Sequence, residues 1–503
     1  NHGVTSILYF ISKKSSIIPR TKMYSRMLTS GITVGLGGSV GLEAPIVVTG
    51  SAIGANIGRL MHLNYKQRTL MIGCGAAAAI SGIFNSPVAG VIFSIEVILT
   101  DVTIAAFIPL LIAAVVGSLI SMLLLGDDVL FSFALADPFR TSDFGAYLLL
   151  GVFCGLVSVY FTRLTLYTED RIRKVNSDIK KAILGGLGLS FLIFLLRPLY
   201  GEGYDSIISL LNNSAEEIMA SNQLFSFFDS SWAIVVFGLA ILLVKPIATG
   251  LTIGAGGNGG IFAPSLFMGA VSGFLFAQIA NLLNIGNELS LSNFTLIGMC
   301  GVMSGVLHAP LTAIFLIAEI TGGYTLFLPL MLVSAIAFSS NSYFESYSFY
   351  TAKLIKAGDL IPYDKDRQVL SLLNIEKMIE KDLLTIQPDA KLEDLVSLIK
   401  KSSRNLFPVV SADQSFQGII ILDDVREIMF NSESQKNVIV EELMHKPPAT
   451  VKSKESMEEV MAKFEKTGAW NLPVVNDGKY LGVVSKSRIF NAYRTQLRRQ
   501  NKE

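Results

Sequence analysis

One apolar stretch of this chain occurs twice. Ser81–Val97 reads SGIFNSPVAGVIFSIEV, and Ser304–Ile320, 223 residues later, reads SGVLHAPLTAIFLIAEI. The Ser-Gly pair, the proline (Pro87, Pro310) and the glutamate (Glu96, Glu319) recur in register. Ahead of each copy lies a second match, GLEAP from Gly41 and GIFAP from Gly260, both G-x-x-A-P and 219 residues apart. Two motifs at nearly one offset argue for duplication over chance. What is duplicated is a set of apolar segments interrupted by Gly and Pro.

The surroundings of these motifs are those of a membrane body. Hydrophobic residues make up 51% of the 503, and mean hydropathy is +0.52, above the range of soluble globular chains. Residues 361–503 hold 43 of the 81 Lys, Arg, Asp and Glu, which leaves 38 for the 360 residues before them. The front is therefore read as a membrane domain and the tail as a soluble one. Thr103–Gly126 and Thr321–Phe344 are free of charge and long enough to span, since a crossing takes about 20 helical residues. Gly145–Thr162 is shorter, and Ala182–Leu196 is too short for a straight span. Breaks in such segments are tolerated where the freed backbone is buried in protein or lines a polar cavity. Paired breaks at corresponding positions of two halves point to a binding site between the halves.

In each G-x-x-A-P copy, Gly lets the backbone turn sharply and Pro suits the first turn of a new helix. Helices that start inside a membrane present unpaired N–H groups and a partial positive charge of about +0.5. That favours an anion, without a Lys or Arg to hold it too tightly for release. Glu43, inside GLEAP, is a carboxylate set in this apolar run.

These residues resemble the CLC chloride channels and proton-coupled chloride transporters. GLEAP looks like the family's G-[RK]-E-G-P motif and GGIFAP like its G-x-F-x-P motif. FNSPVAGVIFSIEV and HAPLTAIFLIAEIT resemble two further signatures, and SFYTAKL the last membrane helix. The resemblance implies a mostly α, polytopic membrane protein with an inverted-repeat, broken-helix fold over 1–360, its halves at roughly 1–165 and 180–355. It implies a homodimer with a separate pore in each subunit, in the plasma or inner membrane. Glu43 would be the gating glutamate, giving voltage- or pH-dependent gating. Amides around Leu42 and Ala44 would bound the outer anion site. Those of Ile261 and Phe262, with the Tyr350 hydroxyl, would hold the central anion. Chloride is the implied substrate, and no cofactor is required.

Three departures from the family pattern matter. Leu42 and Ala44 replace a basic residue and a glycine, which leaves the backbone chemistry but a less positive field. At the family's G-S-G-I-P motif, Gly3 and Val4 align with GI, which puts His2 at the Ser position that touches the central anion. Val97 stands where proton-coupled members commonly carry an inner, proton-relaying Glu, and Asp101 is the nearest titratable residue after it. Val97 cannot titrate, so the reading leans to a passive chloride channel, with a chloride/proton antiporter as the alternative. Glu96 and Glu319, at one register of the repeat, are read as structural, with an Arg or Lys of a neighbouring helix as candidate partner.

The tail has its own repeat, Thr385 with Thr450 and Pro408 with Pro473, offset by 65. Each copy reads as strand, amphipathic helix, apolar strand ending in P-V-V, turn, strand and helix. This resembles a pair of α/β CBS domains, the first at about 376–432 and the second at about 440–497, on the cytoplasmic side. Such pairs often bind ATP or AMP through G-h-h-[TS]-x-x-D. The first copy keeps Asp424 but has Ile421 at the hydroxyl position; the second keeps Ser485 but has Arg488 at the acid. Each copy is half-equipped, so a structural role stands beside nucleotide binding.

Other classes fit less well. The net charge of +1 gives no case for nucleic acid. Cys74, Cys154 and Cys300 lie in apolar surroundings without CxxC spacing and read as core residues. His2, His62, His308 and His445 are scattered, with no metal-ligand spacing and no enzyme pattern. A CBS-regulated divalent cation transporter would need carboxylates facing a cation path, whereas the motif presents helix N-termini. The start, NHGVTS, has neither Met nor a signal-peptide pattern, and the chain is expected to be a fragment lacking preceding segments.

Overall fold

Glycine and proline decide where the helices of the first 360 residues start, stop and touch. In the computed structural model, which describes residues 3–99, 104–126, 139–220, 222, 231–359 and 373–502, the chain divides into two compact units, Asn1–Leu360 and Ile361–Glu503. The first half of unit one runs α1 (Val4–Lys13), α2 (Lys22–Gly35), α3 (Glu43–Leu60), α4 (Tyr65–Phe84), α5 (Pro87–Phe93) with a π turn Ser94–Ile98, and α6 (Ile104–Leu125). The second runs α7 (Phe144–Arg173), α8 (Asp178–Leu195), α9 (Tyr204–Leu211), α10 (Ala215–Ala220), α11 (Ser231–Gly254), α12 (Phe262–Leu282), α13 (Leu291–Leu307), α14 (Pro310–Ile320) and α15 (Phe327–Phe344). A last helix, α16 (Phe349–Lys356), follows.

Among the described residues five helical segments have the length and apolarity to cross a membrane: Ala105–Leu125, Thr141–Arg173, Ser231–Gly254, Phe262–Leu282 and Phe327–Lys356. They differ in surroundings. The α12 segment is 83% buried within the protein, the α6 segment only 17%. α12 is apolar all round and sits in the core, while Ile108, Ile112 and Leu123 of α6 face outward, as lipid-facing side chains do.

The duplication is carried into packing. A Cβ on Gly50 would collide with the Gly75 carbonyl, and one on Gly269 with the Gly298 carbonyl. Likewise Gly54 lies against the Met71 carbonyl and Gly273 against that of Phe294. The offsets are those of the motifs, 219 on the first helix of each pair and 223 on the second. α3/α4 and α12/α13 are thus one close helix pair built twice, with bare backbone at the crossing. Gly273→Ala should lower stability by about 1–3 kcal/mol through overpacking, seen as a lower melting midpoint in detergent; an unchanged midpoint would mean the crossing relaxes freely.

α4 and α13 also end alike. Asn85 (φ 51°) and His308 (φ 54°), again 223 apart, take the left-handed conformation that closes each helix. Pro87 and Pro310 then open α5 and α14. Across the two copies the glutamates trade caps. The Glu319 carboxylate accepts from the Val88 and Ala89 amides at 3.1 and 2.8 Å. The Glu96 carboxylate accepts from the Leu311 and Thr312 amides at 3.2 and 2.8 Å and from the Thr312 hydroxyl at 2.7 Å. The expected Arg or Lys partner is therefore replaced by a helix N-terminus, whose orphan N–H groups and dipole attract the same charge.

Unit two is built on two hairpins. β1 (Leu406–Val410) pairs antiparallel with β2 (Phe416–Ile421), and β3 (Asn471–Asn476) with β4 (Lys479–Ser485). Both registers slip at the last Val-Val step, Val409/Val410 and Val474/Val475. α17 (Leu392–Lys401) and α18 (Met457–Thr467) precede the hairpins, with Leu392, Leu395 and Val396 buried in one and Met457, Val460 and Phe464 in the other. The lead-in segments cross over: Glu380 bridges to Val483 of the second hairpin, and His445 to Ile419 of the first. Each copy thereby lends backbone hydrogen bonds to the other.

Candidate functional site

The two G-x-x-A-P segments meet. Gly41 N–H donates to the Gly260 carbonyl at 2.9 Å, and Gly260 N–H donates back to Gly41 at 2.8 Å. This reciprocal bridge joins the chain just before α3 to the chain just before α12. Gly260 has to be glycine, because a Cβ there would drive into the Ala44 methyl. From the bridge the helices diverge, with Leu42 and Ile261 as their N-caps. Among the described residues the amides of Ile261 and Phe262 have no backbone acceptor. Pro45 and Pro264 stand in the two first turns. Two helix starts therefore face one place, and that of α12 has free donors.

Glu43 opens α3 and is buried, 1% exposed. One carboxylate oxygen accepts a hydrogen bond from the Tyr204 hydroxyl, and the other has no hydrogen-bond partner. Phe262 holds the matching first position of α12, and its ring stacks on Phe84 with centroids 5.4 Å apart, so that side of the repeat is filled by aromatic packing. Ala44 is buried behind the bridge.

Tyr350 is buried on α16, and its hydroxyl has no hydrogen-bond partner. A buried O–H without an acceptor is uncommon and marks a place for one. α16 is tied down on two sides. The Thr5 hydroxyl of α1 donates to the Tyr350 carbonyl at 3.2 Å, and Lys353 forms an ion pair with buried Glu169 of α7 at 2.5 Å. Glu169 also pairs with Arg173 at 2.7 Å.

The Leu42 amide is not free. It donates at 2.7 Å to a carboxylate oxygen of Glu202, a residue on the turn before α9 that sequence reasoning passed over together with Tyr204. Their signal was modest: a lone glutamate between two glycines, Gly201 and Gly203, at the edge of an apolar segment. Leu42, Glu43 and Glu202 line one cavity of about 500 Å³, with Ile46, Asn85 and Ser121 among its other walls. Val97 lies half-buried in the π turn after α5. His2 and Asp101 fall outside the described residues.

The model of the family described as voltage gated chloride channel matches residues 1–342. The chain is a member of the voltage gated chloride channel family. This CLC-family chain also carries two CBS domains, matched at 375–431 and 440–495. It is 26% identical to chloride channel protein CLC-f of Arabidopsis thaliana over 81% of its own length and 57% of that protein's. To the H(+)/Cl(-) exchange transporter ClcA of Vibrio cholerae it is 29% identical, over 60% of the chain and 62% of the relative. The CLC chain therefore spans about three-fifths of the length of each. A slow cyanobacterial Cl-/H+ antiporter shares its fold with TM-score 0.60 at 22% identity, covering 71% of this chain and 80% of that one. A eukaryotic CLC transporter matches with TM-score 0.55 at 19% identity, over 97% of this chain and 84% of that one. The fold is thus that of CLC proteins.

In the tail of this CLC protein, both candidate nucleotide residues already have partners. The Ser485 hydroxyl donates to Glu380 at 2.5 Å, and Glu380 pairs with Arg404 at 2.5 Å. Asp424 accepts from the Ile421 amide at 2.9 Å and lies 3.4 Å from His445 Nδ1.

Proposed function

We propose that this protein carries chloride across a membrane, that it does so as a homodimer with one pathway in each subunit, and that it works as a passive channel gated by Glu43. The observation that carries the reading is the reciprocal Gly41–Gly260 bridge, which sets two helix N-termini around one place with Glu43 over them and the unpartnered Tyr350 hydroxyl buried on α16. Amide and phenol donors can solvate a dehydrated halide without holding it as a full cation would. The Leu42, Ala44, Ile261 and Phe262 amides and Tyr350 are the anion-binding groups of this proposal, with Leu42 available only when Glu202 lets go. Protonating Glu43 removes the charge that competes with chloride for these donors and admits chloride.

Val97 supports the channel over the exchanger, because an isopropyl group cannot pass a proton. The second reading, proton-coupled exchange, is favoured by the kinship to relatives named H(+)/Cl(-) exchange transporters. The membrane is proposed to be a plasma or inner membrane with the tail in the cytoplasm. Reconstituted in liposomes, the protein should release chloride down its gradient and leave Mg²⁺ inside; Mg²⁺ movement without chloride would overturn the anion reading in favour of a cation transporter.

The tail serves to hold its two copies together through their exchanged lead-in segments. Because Ser485 and Asp424 are engaged, ATP or AMP at millimolar concentration should leave the melting profile of the full chain unchanged. A tight ligand at a hundredfold excess over its Kd would add about 2.7 kcal/mol, so an upward shift of several degrees would restore the nucleotide site.

A further inference from the structure

We propose that Glu202 is a second gating carboxylate, which holds the Leu42 amide against the incoming anion, so that two tethered carboxylates decide when the site at the head of α3 is open. The inference rests on the anion-transport reading and deepens it. Glu202 accepts the Leu42 N–H at 2.7 Å, and that amide belongs to the segment whose donors the motif turns toward the anion. The Glu202 side chain is half-buried and shares the walls of the 500 Å³ cavity with Glu43 and Leu42, so water and ions can reach it. One turn of chain holds both carboxylates: Glu202 grips Leu42, while Tyr204, two residues on, donates to Glu43. Gly203 between them has φ +89°, a conformation that suits glycine.

The duplication places this turn at a meaningful position. Gly203 stands 200 residues after Gly3, and each glycine, at positive φ (+89° and +59°), is the N-cap of a helix, α9 and α1. Glu202 thus immediately precedes the glycine N-cap of α9.

Among the described residues the charged and titratable groups around Glu202 are Glu43, Tyr204 and Lys245. Glu43 faces it from α3, Tyr204 from its own helix, and Lys245 acts on it from α11. Lys245 is fully buried and its ammonium makes no hydrogen bond. It lies 4.7 Å over the Phe267 ring, and that ring abuts Gly203. An ionised Glu202 occupies an anion donor through its bond to the Leu42 amide. Protonation weakens its hold on the Leu42 amide, because a hydrogen bond to a neutral oxygen is weaker than one to a carboxylate.

A plain helix cap would also bond the Leu42 amide, and charge separates the two roles. Glutamine keeps the acceptor oxygen and loses the charge, so it would rescue a cap and would not restore a competing anion. The test is chloride titration calorimetry on purified full-length protein in a Glu43→Ala background, which removes the first competitor. With Glu202 present, chloride affinity should rise as pH falls. Adding Glu202→Gln should tighten chloride binding about fivefold at neutral pH and flatten the pH dependence, and Glu202→Ala should do the same. Equal affinity and equal pH dependence with and without Glu202 would overturn the inference while leaving anion transport in place. No chloride heat in any variant, together with no chloride flux by the parent protein, would overturn the transport reading and the inference with it. Elution at the parent's size checks that the variants are folded.

Discussion

Glu43→Gln should raise chloride flux at neutral and alkaline pH to the level that the parent protein reaches only in acid. The glutamine is the neutral isostere of the protonated acid. It carries no charge to compete with chloride for the amides at the head of α3 and α12, and it leaves the gate where protonation would put it. Glu43 is buried with one oxygen on Tyr204 and the other unpartnered, so its ionised form has little water to compensate it. A change of charge there alters its binding to the donors by more than a neutral hydrogen bond is worth, and a tenfold or greater gain at alkaline pH is expected. Most of the pH profile should disappear with it, and the residue should trace to Glu202. Flux from chloride-loaded liposomes between pH 5 and 8, parent against variant, measures both. A parent-like pH profile in Glu43→Gln would remove Glu43 from the gate.

The second large effect is on stability. Glu319→Ala leaves the Val88 and Ala89 amides without their acceptor, and Glu96→Ala does the same to Leu311 and Thr312. The Val88, Ala89 and Thr312 amides are part-buried and Leu311 is exposed, so the cost is about 2–4 kcal/mol for Glu319→Ala and less for Glu96→Ala, and the α5/α14 contact loses its mutual caps. Glutamine at either position should recover part of the loss, since it keeps one acceptor and drops the charge that the helix dipole favours. The readout is the melting midpoint in detergent, with the Ala variants lowest and the Gln variants between. Wild-type midpoints in both Ala variants would mean that water replaces the carboxylates without penalty.

The repeat was legible in the sequence because it is written in residue types: Gly, Pro and Glu at fixed offsets, which the fold turns into paired crossings, paired left-handed caps and paired helix starts. The placement of Glu43 at a helix start followed from the same letters. What was hidden is the other half of each interaction. The partners of Glu96 and Glu319 are backbone amides, which every residue type shares, so a sequence search for Arg or Lys looks in the wrong place. Glu202 and Tyr204 escaped for a related reason. They reach Leu42 and Glu43 over a separation of about 160 residues, and the turn that carries them matches the first half only in Gly3 and Gly203. In the tail the half-motifs at Asp424 and Ser485 were visible, but Glu380, which engages Ser485, comes from the lead-in of the opposite copy.

As a passive channel, the protein would move chloride past Glu43 with no proton coupled to it. Purified protein in liposomes, given an inward chloride gradient and a pH dye inside, tests it in one recording. Chloride should run down its gradient, with internal pH unchanged once the membrane potential is clamped. Sustained movement of protons against their own gradient, driven by chloride and abolished by Glu43→Gln, would contradict it and make the protein an exchanger.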